Sequence, residues 1–138
     1  MKTPFEFVAG ALRVTGAQVE DASASVQALR ALGMPLYFCQ PPTGYADRAD
    51  AWVNTGALLG RMNLAVALVD NRLRGVRVDV AALAGQATSA PAAQVRVRLL
   101  RQLLQDEASP ATLATLNKAS TLPQLVALAL GSPEFQKR

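Results

Sequence analysis

The sequence contains no histidine and a single cysteine, Cys39. Without an imidazole there is no general base for a Ser-His-Asp or Cys-His nucleophile, and without several His or Cys side chains the usual zinc sites cannot be assembled. One thiol closes no internal disulfide, so cysteine usage gives no sign of a stapled secreted scaffold and leaves the redox compartment open. Between Phe38 and Gln40 it reads as a small apolar group rather than a reactive one. Aromatic residues make up 5% and charged residues 17% of the 138 positions, against 51% hydrophobic. That balance is too apolar for a disordered chain, and no uncharged run is long enough to span a bilayer. Neither a GxGxxG nor a Walker-type phosphate loop occurs. Fourteen Lys and Arg against ten Asp and Glu leave a net charge of +4, too mild to demand a polyanionic partner. Glu6 and Arg13 interrupt the N-terminus where a signal peptide needs its apolar stretch, so the default expectation is a cytoplasmic, globular chain with no metal and no cofactor.

What is present is alanine and leucine at helical spacing, as in Phe5, Val8, Ala9 and Leu12, or Ala22, Val26, Leu29 and Gly33. The expected fold is all-α: one bundle of six to seven helices with one Pro-rich irregular loop. Helix starts are well marked, because a Ser, Thr or Asp accepts bonds from the free amides of the first turn and a Pro there loses nothing. Thr3-Pro4-Phe5-Glu6 and Thr121-Leu122-Pro123-Gln124 read as capping boxes, Ser109-Pro110 and Ser132-Pro133 as cap plus proline, and Asp79 as a further cap. Gly16, Gly33, Gly75 and Gly131 stand where helices should end. Helices are expected at roughly 4–15, 20–32, 47–73 with a break near Asn54, 79–86, 91–106, 110–118 and 122–130. The stretch from Gly33 to Ala46 carries Met34-Pro35 and Pro41-Pro42-Thr43-Gly44-Tyr45, which favour a stiff extended loop. Residues 1–138 are expected to form a single domain, with a weak hinge near 86–91.

The segment from Asn54 to Leu73 is apolar almost all round and belongs in the centre of a bundle, with Leu58, Leu59, Met62, Ala65, Val66, Val69 and Leu73 on its main face. Gly56, Gly60, Asn63 and Ala67 form a small-residue face suited to close backbone approach. Polar groups on such a helix must find partners, so Arg61, Asn63 and Asp70 are candidates for a structural network or a ligand site. Carboxylate pairs are the general acid and base chemistry left to the chain: Glu20 with Asp21, Asp47 with Asp50, and Asp106 with Glu107. Helix capping and a solvated loop account for them. Arg98 and Arg101 lie on a polar face of the helix near 91–106, without the interleaved aromatics that nucleic-acid binding favours. Arg96 projects toward Leu100 and Leu103 and must snorkel or pair with an acid.

Thr3-Pro4-Phe5-Glu6-Phe7-Val8, Pro41-Pro42-Thr43-Gly44-Tyr45, Trp52-Val53-Asn54, Arg61-Met62-Asn63 and Leu130-Gly131-Ser132-Pro133-Glu134-Phe135-Gln136 together resemble the C-terminal part of the bacterial domain of unknown function 1800 family. The resemblance covers essentially the whole chain and implies the terminal helical portion of a longer protein. It carries no reaction, cofactor or catalytic residue. The leading expectation is therefore a non-enzymatic helical module that packs against an unidentified protein partner or the missing N-terminal segment. Its surface would include Phe38, Pro41, Pro42, Tyr45 and Trp52, since a stiff loop loses little entropy on docking. Two alternatives stand beside it: a small-ligand or enzymatic site using Arg61, Asn63 and Asp70, with Tyr45 as a donor, and weak nucleic-acid binding through Arg98 and Arg101.

Overall fold

A computed structural model describes residues 1–46, 48–85, 92–105 and 107–137. The order of elements is α1 (Pro4–Val14), β1 (Gln18–Val19), α2 (Ser23–Ala31), a 3-10 turn (Ala49–Trp52), α3 (Thr55–Val69), β2 (Val76–Arg77), α4 (Val80–Leu83), α5 (Ala92–Leu104), α6 (Pro110–Leu116), α7 (Leu122–Gly131) and α8 (Pro133–Gln136). The fold is mainly helical. The two strands form a minimal antiparallel ladder, Gln18 opposite Arg77 and Val19 opposite Val76, extended by Glu20 and Asp21 donating to the Gly75 carbonyl. Strands this short carry no readable period, so the expectation of helices alone missed them.

Local chemistry explains the helix starts. In α1 the Glu6 amide donates to Thr3 Oγ1 at 3.3 Å while the Thr3 amide donates to Glu6 Oε2 at 2.7 Å, a complete capping box. Asn54, Asp79, Ser109 and Ser132 accept first-turn amides of α3, α4, α6 and α8. At α7 only half of the expected box forms: Thr121 accepts the Gln124 amide, but the Gln124 side chain accepts from Ser120. The expected helix at 20–32 begins at Ser23, because Asp21 accepts both the amide and the hydroxyl of Ser23 outside a ladder that already holds residues 18 and 19. The expected break near Asn54 separates the 3-10 turn from α3. The weak hinge at 86–91 lies outside the described residues.

The core gathers Phe7, Val8 and Ala11 of α1, Leu29 of α2, Ala65, Leu68 and Val69 of α3, Leu99, Leu103 and Leu104 of α5, and the Leu125–Leu130 stretch of α7. The most extensive packing is α3 on α7. Gly131 permits it by its lack of a side chain and not by a left-handed turn: a β-carbon there would stand 2.8 Å from Met62 Sδ and overlap the Met62 methyl. The glycine face expected to receive a neighbouring backbone does something else, since Gly60 meets the Leu32 side chain and Asn63 is exposed.

α8 is tied to α6 by one carboxylate. Glu134 Oε1 accepts the Ser109 amide at 3.1 Å, and Thr112 Oγ1 lies 2.9 and 2.8 Å from its two oxygens. Burial pushes the Glu134 pKa up, but hydrogen bonds from Ser109, the backbone and Thr112 outweigh it and hold the group at about 2. A carboxylate depressed in the folded state stabilises the fold above its unfolded pKa of roughly 4.3 and loses that contribution as pH falls toward 2. Glu134→Gln is expected to cost about 1–2 kcal/mol at pH 7, with the gap to wild type closing between about pH 4 and pH 2 in urea melts. A gap independent of pH would contradict this role.

Candidate functional site

Among the described residues Arg61 is the largest fully buried side chain, with 1% of its surface exposed. It faces inward because Ala65, Leu68 and Val69 share its stripe on α3, which turns Leu58 and Leu59 outward. Of the expected main face, Ala65 and Val69 lie in the core, Met62, Val66 and Leu73 are half-buried, and Leu58 and Leu59 are exposed. Arg61 Nη2 donates to the Lys2 carbonyl at 2.8 Å and Nη1 to Gln136 Oε1 at 3.2 Å, and the guanidinium carbon lies 5.2 Å from the Phe7 ring centroid. Burial pulls its pKa below the ordinary guanidinium value. Among the described residues no carboxylate lies within ion-pair distance of it, and its buried Nε has no partner.

The two chain ends meet on this side chain. The Lys2 amide donates to the Gln136 carbonyl at 2.7 Å, Lys2 Nζ donates to the Phe135 carbonyl and sits 4.1 Å over the Phe135 ring, and Phe135 meets Phe7 edge-on at 5.9 Å. Gln136 Nε2 donates to the Gly131 carbonyl at 2.9 Å, which fixes the oxygen that Arg61 uses. Burial lowers the Lys2 pKa, opposed by the Glu6 charge. Arg61 therefore joins α3 to both termini.

Asn63 and Asp70 do not share this junction. Asn63 is exposed, and Asp70 is an exposed partner of Arg72 Nη2 at 2.8 Å. An Arg holding an anion while Asp70 acts as base is not assembled by this arrangement.

The other set of candidates divides between surface and core. Phe38 is 67% exposed, Pro41 and Pro42 are exposed, and the fully exposed Tyr37 takes a left-handed backbone with φ of 63°. Trp52 is buried, as the anchor of the loop: its Nε1 donates to the Ala46 carbonyl at 2.7 Å and its ring lies 6.1 Å from that of Tyr45. The Tyr45 hydroxyl donates to the Pro35 carbonyl, so both rings hold the loop from beneath. Desolvation, with the nearby Cys39, raises the Tyr45 pKa. Beside the loop, Arg30 stacks 5.4 Å from the Phe38 centroid, and Val53 and Leu59 of the following segment are exposed.

Arg98 and Arg101 are exposed on α5. Among the described residues Arg96 pairs with no acid. It donates from Nη2 to the carbonyls of Leu116, the last residue of α6, and Ala119, in the turn beyond it, at 2.9 and 3.0 Å. Asp47 and Asp106 lie outside the described residues, and among the described residues no cluster of three metal-ligating side chains occurs.

A family model described as a protein of unknown function matches residues 1–137. The chain belongs to the DUF1800 family. No curated protein and no solved structure matches it. Among the described residues of this DUF1800 chain, no helix is long and apolar enough to cross a membrane. Sequence reasoning missed Tyr37, whose neighbour Phe38 it chose, and the Lys2 and Gln136 partners of Arg61. Only the run Tyr37-Phe38 ahead of Pro41-Pro42 signals the former, and nothing local signals the latter, which are 59 and 75 positions from Arg61.

Proposed function

We propose that this chain is a protein-interaction module that docks on a partner protein through the connection between α2 and α3. One observation carries the reading: two adjacent aromatic side chains, Tyr37 and Phe38, stand out in solvent on a loop that Trp52 and Tyr45 brace from below. Leaving two rings in water forgoes burial free energy of about 1.5–3 kcal/mol each, and the left-handed backbone of Tyr37 adds strain. Aromatic anchors on a braced, proline-bearing loop lose little entropy when they enter a partner's apolar pocket. Val53 and Leu59 add apolar surface along the same connection.

A photo-crosslinking amino acid at position 38, compared with one at the exposed Lys118 just after α6, tests the proposal in the producing cells. A discrete protein adduct is expected at 38 and not at 118, and Tyr37→Ser should abolish it. Tyr37→Ser is also expected to leave stability within about 0.5 kcal/mol of wild type, so loss of the adduct reads as loss of docking. The absence of an adduct at 38, or the same adduct from both positions, would refute the assignment.

A further inference from the structure

We propose that the groove between β2, α4 and α5 binds a small molecule bearing two or more phosphate groups. The groove has a volume of about 1180 Å³, and Arg74, Arg77 and Arg98 line it together. Arginine suits this task because its planar fork of N–H donors matches phosphate oxygens in pairs.

The fold brings these three residues into the lining of one groove from two segments, the turn with β2 and α5. Through β2 and the residue after it, the alternation of buried Val76, exposed Arg77 and buried Val78 turns Arg77 away from the core. Arg74 belongs to the turn before it, where the charge of Asp21 is near. Arg98 comes from α5 and is seated by a glycine: Gly85 has φ of 71°, and a β-carbon there would stand 2.8 Å from Arg98 Nη1 and 3.2 Å from its Cζ. A β-carbon at Gly85 would press on the tip of the Arg98 side chain, which would have to shift.

Two of the other polar side chains that line the groove, Asn71 and Asp79, bond to nearby backbone. Asn71 Oδ1 accepts the Val78 amide at 2.6 Å and its Nδ2 donates to the Val78 carbonyl at 3.0 Å, while Asp79 Oδ1 accepts the Ala82 amide at 2.9 Å. Among the described residues neither Arg77 nor Arg98 has an ion-pair partner. Among the described residues no aromatic ring lines the groove, so they offer no platform for stacking the bases of a nucleic acid. A concave, basic, ring-free cavity of this size fits a compact polyphosphorylated molecule better than an extended polymer.

Titration of the full chain with tripolyphosphate, followed by calorimetry and by amide NMR shifts, tests the proposal. Saturable binding of one equivalent is expected, with shifts centred on residues 74–79 and 98–102, and sulfate at equal ionic strength should not reproduce it. Arg77→Gln and Arg98→Gln should each weaken binding by about tenfold or more, whereas Arg13→Gln, outside the groove, should not. Gly85→Ala should weaken it while both arginines remain. Binding that is unsaturable, or indifferent to Arg77→Gln and Arg98→Gln, would overturn the proposal. So would tighter binding of a single-stranded oligonucleotide through the same residues with a steep salt dependence, which would make the groove a nucleic-acid surface instead.

Discussion

Arg61→Ala is expected to lower the unfolding free energy by about 3–5 kcal/mol, the largest effect of any single substitution outside the apolar core. Truncation leaves a cavity beside Phe7 and strands two acceptors, the half-buried Lys2 carbonyl and the buried Gln136 Oε1. Arg61→Met separates these contributions. It refills much of the volume, so it should recover part of the loss while the acceptors stay unpaired. Urea melts measure the total. Amide exchange at Lys2 and Gln136, whose own backbones are joined at 2.7 Å, measures the local share and should accelerate in both variants. If Arg61→Met were as stable as wild type, the termini would be held by apolar packing and the hydrogen bonds would contribute nothing measurable.

Gly75→Ala ranks second, with an expected loss of about 2–3 kcal/mol. The residue has φ of 71°, and an added β-carbon would stand 2.8 Å from the Asp21 carbonyl oxygen and 2.9 Å from its nitrogen. Backbone cannot swing aside as a flexible side chain can. The clash strikes where Glu20 and Asp21 donate to the Gly75 carbonyl, so the two-strand ladder should open with it. Gly16→Ala is the internal control: φ is 60° there too, but nothing lies within 4 Å of the added carbon, and the cost should stay near 1 kcal/mol. Equal losses at both positions would show that φ alone matters and that the contact with Asp21 does not.

These two sites also show what can be read from a linear sequence. Helix starts were legible because a cap acts over three residues: Thr3 with Glu6, Asp79 with Ala82 and Ser132 with Phe135 all close as the spacing predicts. The face of α3 was not legible, because its apolar residues run nearly all round and periodicity cannot choose a direction. The buried stripe of Arg61, Ala65, Leu68 and Val69 marks the inward face, and the partners of Arg61 come from the two chain ends. Arg96 misled for a related reason. An arginine on an apolar stripe invites a search for an acid, yet it donates to carbonyls at the end of α6 and in the turn beyond it. At the loop, prolines announced irregular backbone, and among the described residues no helix forms between α2 and the 3-10 turn. Burial separates Trp52 beneath the loop from Phe38 above it.

The docking of a protein on the α2–α3 connection is tested most directly by hydrogen exchange on the chain alone and with the protein recovered at position 38. Bound to that partner, amides of residues 34–46 and the first turn of α3 should slow markedly, while those of α5 and α6 should keep their rates. Protection that appears on α5 and α6 instead, or nowhere, would contradict the account and leave the exposed pair Tyr37 and Phe38 without the role assigned to them.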